Sequence, residues 1–70
     1  MKQDYYGIFL GLIRKSSIPM LAEKSGVAVS TIRNWLHGRA TPSILNFEAV
    51  ANALGYKVVL EKKTPDLWNI

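Results

Sequence analysis

SGVAVSTIRNWLHG, residues 25–38, decides how the rest of this chain reads. Gly26 follows a small polar residue and Gly38 closes the stretch. Glycine just past a helix end supplies the positive φ that a reversal needs. The spacing therefore predicts one helix ending at Gly26 and another over Val29–His37, ended by Gly38. With Val29 at 0° and about 100° per residue, Thr31, Trp35, Ile32 and Leu36 gather on one side. Val29, Arg33, His37, Ser30 and Asn34 gather on the other. The first set is a core face. The second is a strip of hydrogen-bonding side chains with one methyl-bearing residue and one cation. A solvated helix usually carries Glu/Lys pairs at i, i+4; this one has no acid. Ser, Asn and Arg pair with base edges and phosphates, and Val meets a thymine methyl.

Upstream, Ser17 is a good N-cap and Pro19 sits in the first turn of a helix, where its missing N–H is harmless. Ile18, Leu21 and Ala22 follow helical spacing up to Gly26. Further upstream, Asp4 can cap a helix over roughly residues 5–15. Tyr6, Phe9, Leu10 and Ile13 form one apolar stripe, and Tyr5, Ile8 and Leu12 form a second. One stripe enters the core; the other needs a cover, either the chain's own tail or a second copy. Downstream of the loop Arg39–Pro42, Ser43 caps a fourth helix with Ile44, Phe47, Val50, Ala51 and Leu54 on one face, closed by Gly55. YKVVLEK then switches to a period of two with β-branched residues, which predicts a strand. Thr64-Pro65-Asp66 is a turn before Leu67-Trp68-Asn69-Ile70.

Seventy residues suit a single folded unit, and 49% apolar composition argues against disorder. There is no cysteine, so neither a disulfide framework nor a thiolate metal site is expected. The apolar run Tyr5–Ile13 is shorter than a membrane span needs and lacks the flanks of a secretion signal, which points to a cytoplasmic protein without a membrane segment. One histidine and no close acid pair leave no catalytic or metal constellation, so a non-enzyme without cofactor is expected. His37 reads as a phosphate contact or a solvated residue, Trp35 as packing, and Trp68 stays open. The formal charge is +4. Five cations (Arg14, Lys15, Lys24, Arg33, Arg39) and one acid (Glu23) fall within residues 14–39. A basic patch of this kind favours a polyanionic partner.

SIPMLAEKSGVAVSTIRNWLHG followed by TPSILNFEAVANALG resembles the Cro/repressor (XRE-like) helix-turn-helix family. The resemblance runs from about Ser17 to Gly55. It rests on Leu21-Ala22, Gly26, Ser30-Thr31-Ile32, Trp35, Gly38, Pro42 and Ala53-Leu54-Gly55 at ungapped joint spacing. It implies a mainly α, four-helix, lambda-repressor-like domain whose Val29–His37 helix enters the major groove of double-stranded DNA. Carried over by position, it implies base reading by Val29, Ser30, Asn34 and Arg33. It implies phosphate contacts at Ser17 and Ile18, through backbone amides, and at Thr31, His37, Arg39 and Thr41. The family usually has Ser or Thr where Ala28 stands; an uncapped start costs about 1 kcal/mol. The family also usually has a polar residue in the first turn of the preceding helix, where Ile18, Pro19 and Met20 stand, and Val29 offers no hydrogen bond. Few direct base contacts and partial reliance on DNA shape are therefore expected.

A strand with no partner leaves backbone groups unpaired. Val58, Val59 and Leu60 are therefore expected to pair either with the returning tail or, as in some Cro-like proteins, with a second copy, Trp68 adjoining. On that reading residues 1–56 bind DNA and residues 57–70 dimerise. The expected function is a phage or bacterial transcription regulator, a repressor, occupying a near-palindromic operator as a homodimer. The alternative is an antitoxin-like module with a toxin partner and autoregulatory DNA binding.

Overall fold

The computed structural model describes residues 4–59. Four helices follow one another: α1 (Tyr5–Arg14), α2 (Ile18–Ser25), α3 (Val29–Leu36) and α4 (Ile44–Ala53). Three of the four starts are capped as the sequence leads one to expect. The Asp4 carboxylate accepts from the Gly7 amide at 2.9 Å. The Ser17 hydroxyl accepts from Met20 at 3.3 Å, and that of Ser43 from Asn46 at 3.2 Å. Each satisfies one of the donors that a helix start leaves orphaned.

The core is small and built from every helix. Phe9 and Ile13 of α1, Leu21 of α2, Ile32 and Trp35 of α3, and Val50 and Ala51 of α4 are buried, with Val27 from the α2–α3 turn. Phe9 lies at the centre of the aromatic contacts. Its ring centroid is 4.3 Å from that of Phe47, 6.1 Å from that of Trp35 and 6.2 Å from that of Tyr6. These separations match the offset and tilted pairings that aromatic quadrupoles favour. α2 packs on both α3 and α4, so it is the element that fixes α3 to the body of the domain.

The α2–α3 connection depends on backbone conformation. Gly26 has φ 79° and donates its amide to the Ala22 carbonyl at 2.9 Å, closing α2 with a left-handed residue. Val27 follows at once and is buried. An apolar residue directly after a left-handed glycine often packs back on the helix it leaves. That signal was present in the sequence, yet helical spacing does not single Val27 out.

Two features depart from the sequence expectation. Ile44 fits the periodicity of the α4 core stripe but is 81% exposed, beside Leu45 at 76%. Periodicity assigns a helical face; it does not say how far along the helix the neighbouring elements reach, and Ile44 occupies the first position. Residues 56–59 form no strand within the described residues. A strand is defined by its pairing, and the partners expected for it, the returning tail or a second copy, lie outside the described residues. Leu60, the rest of YKVVLEK, the turn at Pro65 and Trp68 lie outside the described residues.

A methyl group added at Gly11, within α1, meets no atom within 4 Å. Gly11→Ala is expected to raise the unfolding free energy by about 0.5–1 kcal/mol, because alanine loses less backbone entropy on entering a helix. Gly26→Ala is expected to lower it, since the new side chain meets strain at positive φ. Urea denaturation of the two variants beside the parent chain measures both signs.

Candidate nucleic-acid interface

α3 carries the candidate site, and its burial follows the split around its axis. Ile32 is fully buried and Trp35 is 2% exposed, with Leu36 packed against the same cluster. Ser30, Arg33 and His37 are exposed, while Val29 and Asn34 are half-buried at the margins of the strip. The four expected base readers, Val29, Ser30, Arg33 and Asn34, therefore share one outward side of one helix. Among the described residues, none of their side chains makes a hydrogen bond. An unengaged row of donors and acceptors beside a packed apolar face is what a recognition surface requires.

The end of α3 is closed by a paired backbone motif. Gly38, at φ 74°, donates to the Trp35 carbonyl at 3.1 Å, and Arg39 donates to the Asn34 carbonyl at 2.9 Å. This double closure is a Schellman turn. It ties the backbone of Arg39 to that of Asn34, so an exposed cation is held one turn from the polar strip. Thr41 is exposed two residues further on. The phosphate candidates Arg39, His37 and Thr41 thus cluster at the C-terminal end of α3 by chain geometry. Thr31 is half-buried on the side of α3 nearer the core.

The start of α2 offers less than its sequence suggests. Of its first three positions, Pro19 has no amide proton and the Met20 amide is taken by Ser17 Oγ. Ile18 alone keeps a free amide there. Ser17 is exposed and its hydroxyl still has a proton to donate. The exposed Arg14 and Lys15 end α1 just ahead of Ser17.

α3 begins differently from the other helices. Ala28 is extended (φ −64°, ψ 147°) and makes no side-chain cap, so the first-turn amides of the recognition candidate have no side-chain acceptor. Ser30, the first hydroxyl of α3, lies past the cap position. No group of three His, Cys, Asp or Glu side chains among the described residues is arranged to hold a metal ion. No helix among them is long and apolar enough to cross a membrane.

A protein-family model described as helix-turn-helix matches residues 14–60. Neither the curated proteins nor the solved structures gave a match.

Ala28→Ser is expected to supply the missing cap and stabilise the domain by about 0.5–2 kcal/mol. Thermal unfolding reads this directly, since about 1 kcal/mol shifts the midpoint of a domain this size by roughly 4–8 °C. An unchanged midpoint shows that the amides of α3's first turn are not short of an acceptor.

Proposed function

The chain belongs to the helix-turn-helix family of Cro/C1, XRE-like type, and on that premise we propose that it is a transcriptional repressor that reads double-stranded DNA with α3. The observation that carries this reading is the acid-free, unengaged strip of α3 held beside Arg39. α3 lies in the major groove, as the second helix of such motifs does. Ser30 and Asn34 hydrogen-bond base edges, Arg33 reaches a base, and Val29 contacts a thymine methyl. The Ile18 amide and the hydroxyls of Ser17, Thr31 and Thr41 bond phosphate oxygens, and His37 and Arg39 add donors there. With only a few side chains on bases, DNA shape carries part of the preference.

One such module gives little discrimination. A homodimer reads two half-sites about one helical turn apart, so the preferred site is near-palindromic. Residues 1–56 form the DNA-binding unit, and the edge Val58–Val59–Leu60 pairs with its two-fold mate. Val58 and Val59 are exposed in the single chain, which leaves them available for that contact. Bound across a promoter, the dimer excludes polymerase by occupancy.

Selection of bound sites from random duplex DNA tests the whole reading and is expected to return an inverted repeat. Asn34→Ala is expected to relax preference at its base position by about 1–3 kcal/mol. Arg39→Ala is expected to weaken all sequences alike and to reduce the salt slope by about one. An unaltered selected motif for Asn34→Ala refutes the reader assignment. Sedimentation at high micromolar concentration is expected to exceed 7.8 kDa; a monomer mass refutes the dimer.

A further inference from the structure

The second apolar stripe of α1 stays out of the core. Tyr5 is 68% exposed and Ile8 55%. With Leu12 they border an open groove of about 670 Å³, whose opposite side is Phe47, Ala51 and Leu54. Residues 56–59 run along the same groove, and Val59, 63% exposed, belongs to its lining. No residue of α2 or α3 contributes. A contiguous, mainly apolar groove rimmed by exposed Tyr5, Ile8 and Val59 is the kind of surface that receives an apolar partner.

We propose that the cover is the chain's own segment Leu67–Ile70, with the Trp68 indole as the principal occupant. Three observations select it over a second copy. The first is where the chain leaves the described residues. Tyr56 donates to the Ala51 carbonyl at 2.9 Å, which turns the chain off α4 and into the groove wall. The tail thus departs from the site itself.

The second is the distribution of apolar residues beyond Val59. Residues 61–66, Glu-Lys-Lys-Thr-Pro-Asp, are polar apart from Pro65, and Leu67, Trp68 and Ile70 follow. In sequence, a polar spacer that contains a proline, a residue favoured in turns, precedes three apolar residues within four positions. One tryptophan buries about 150–250 Å², a patch the size of the exposed side of one helix turn or two.

The third is reach. Nine residues from Val59 to Trp68 span up to roughly 30 Å when extended. α1, at ten residues, is about 15 Å long. The chain therefore has length enough to reverse at Pro65 and return over Ile8 and Leu12. A tether this short gives an effective concentration on the order of millimolar, well above what a free second copy offers in dilute solution.

The assignment does not depend on the DNA reading, because the groove and α3 share no residue. It narrows the assembly reading: Trp68, expected from sequence at the contact between copies, serves its own subunit, and pairing is left to Val58–Leu60.

The test is NMR on the full chain. Trp68 ring protons are expected to show contacts to the Ile8 and Leu12 methyls. In an equal mixture of labelled and unlabelled chains, the spectrum filtered for contacts between chains is expected to lack them. Contacts seen only between chains give the groove to a second copy and overturn the proposal, as does their complete absence. Ile8→Glu alters an exposed side chain, and Trp35, buried in the core, reports that the fold persists. In that variant the Trp68 indole resonance is expected to move to the position of a solvent-exposed tryptophan while that of Trp35 stays. A Trp68 resonance that does not move overturns the proposal. Sedimentation of the same samples reads pairing separately, so loss of the dimer and loss of the docked tail are told apart.

Discussion

The contact between Phe9 and Trp35 is the constraint on which the rest depends. Phe9 also touches Tyr6 and Phe47, so one ring joins α1, α3 and α4. A domain of this size has a total stability of about 4–10 kcal/mol. Truncating one buried Trp or Phe to alanine typically removes about 3–5 kcal/mol. A single aromatic contact is thus comparable with the whole margin of the fold. It also orients the site. With Trp35 and Ile32 held inward, α3 has no rotational freedom about its axis, and the side chains opposite them face outward.

Turn chemistry converts that packing into a surface. Gly26 lets α3 follow α2 at a sharp angle, and α2 contacts both α3 and α4. Gly38 closes α3 while tying Arg39 to the Asn34 carbonyl. The backbone that carries the donors of α3 and the cation after it is thereby held in one place without a hydrogen bond from those side chains among the described residues. Rigid placement of the backbone matters for recognition, because a segment that is already ordered loses less entropy when it meets a ligand. Against this, Ala28 leaves the first turn of α3 uncapped. A small domain that forgoes about 1 kcal/mol at that position gives up a sizeable part of its margin. The amides left open lie at the end of α3 that such motifs direct at base edges.

The apolar surface divides unequally. The core stripe of α1 is consumed by α3 and α4, and its second stripe borders a groove with α4 and residues 56–59. Nothing on α2 or α3 reaches that groove. The polar strip of α3 and the apolar groove are therefore separate surfaces on different parts of a short chain.

Much of this was legible from residues alone. Four helices, three of their caps, the glycines that end them and the inward set Phe9, Ile13, Leu21, Ile32, Trp35 and Val50 follow from periodicity and local hydrogen-bond chemistry. These act within four residues along the chain and need no knowledge of the fold. The outward strip of α3 followed for the same reason. Other features required tertiary structure. Ile44 lies on the right face, yet at the first position of α4 it is left exposed by the described residues, while Phe47 three positions on packs against Phe9. Val27 is buried because the turn at Gly26 drives it under the helices, and no period marks it. The free amides at the start of α2 fall to that of Ile18 because Ser17 bonds Met20. The pairing of α1 with α4 across a groove is a relation between residues some forty positions apart. Local pattern specifies which side of a helix is apolar; only the packed chain decides what that side meets.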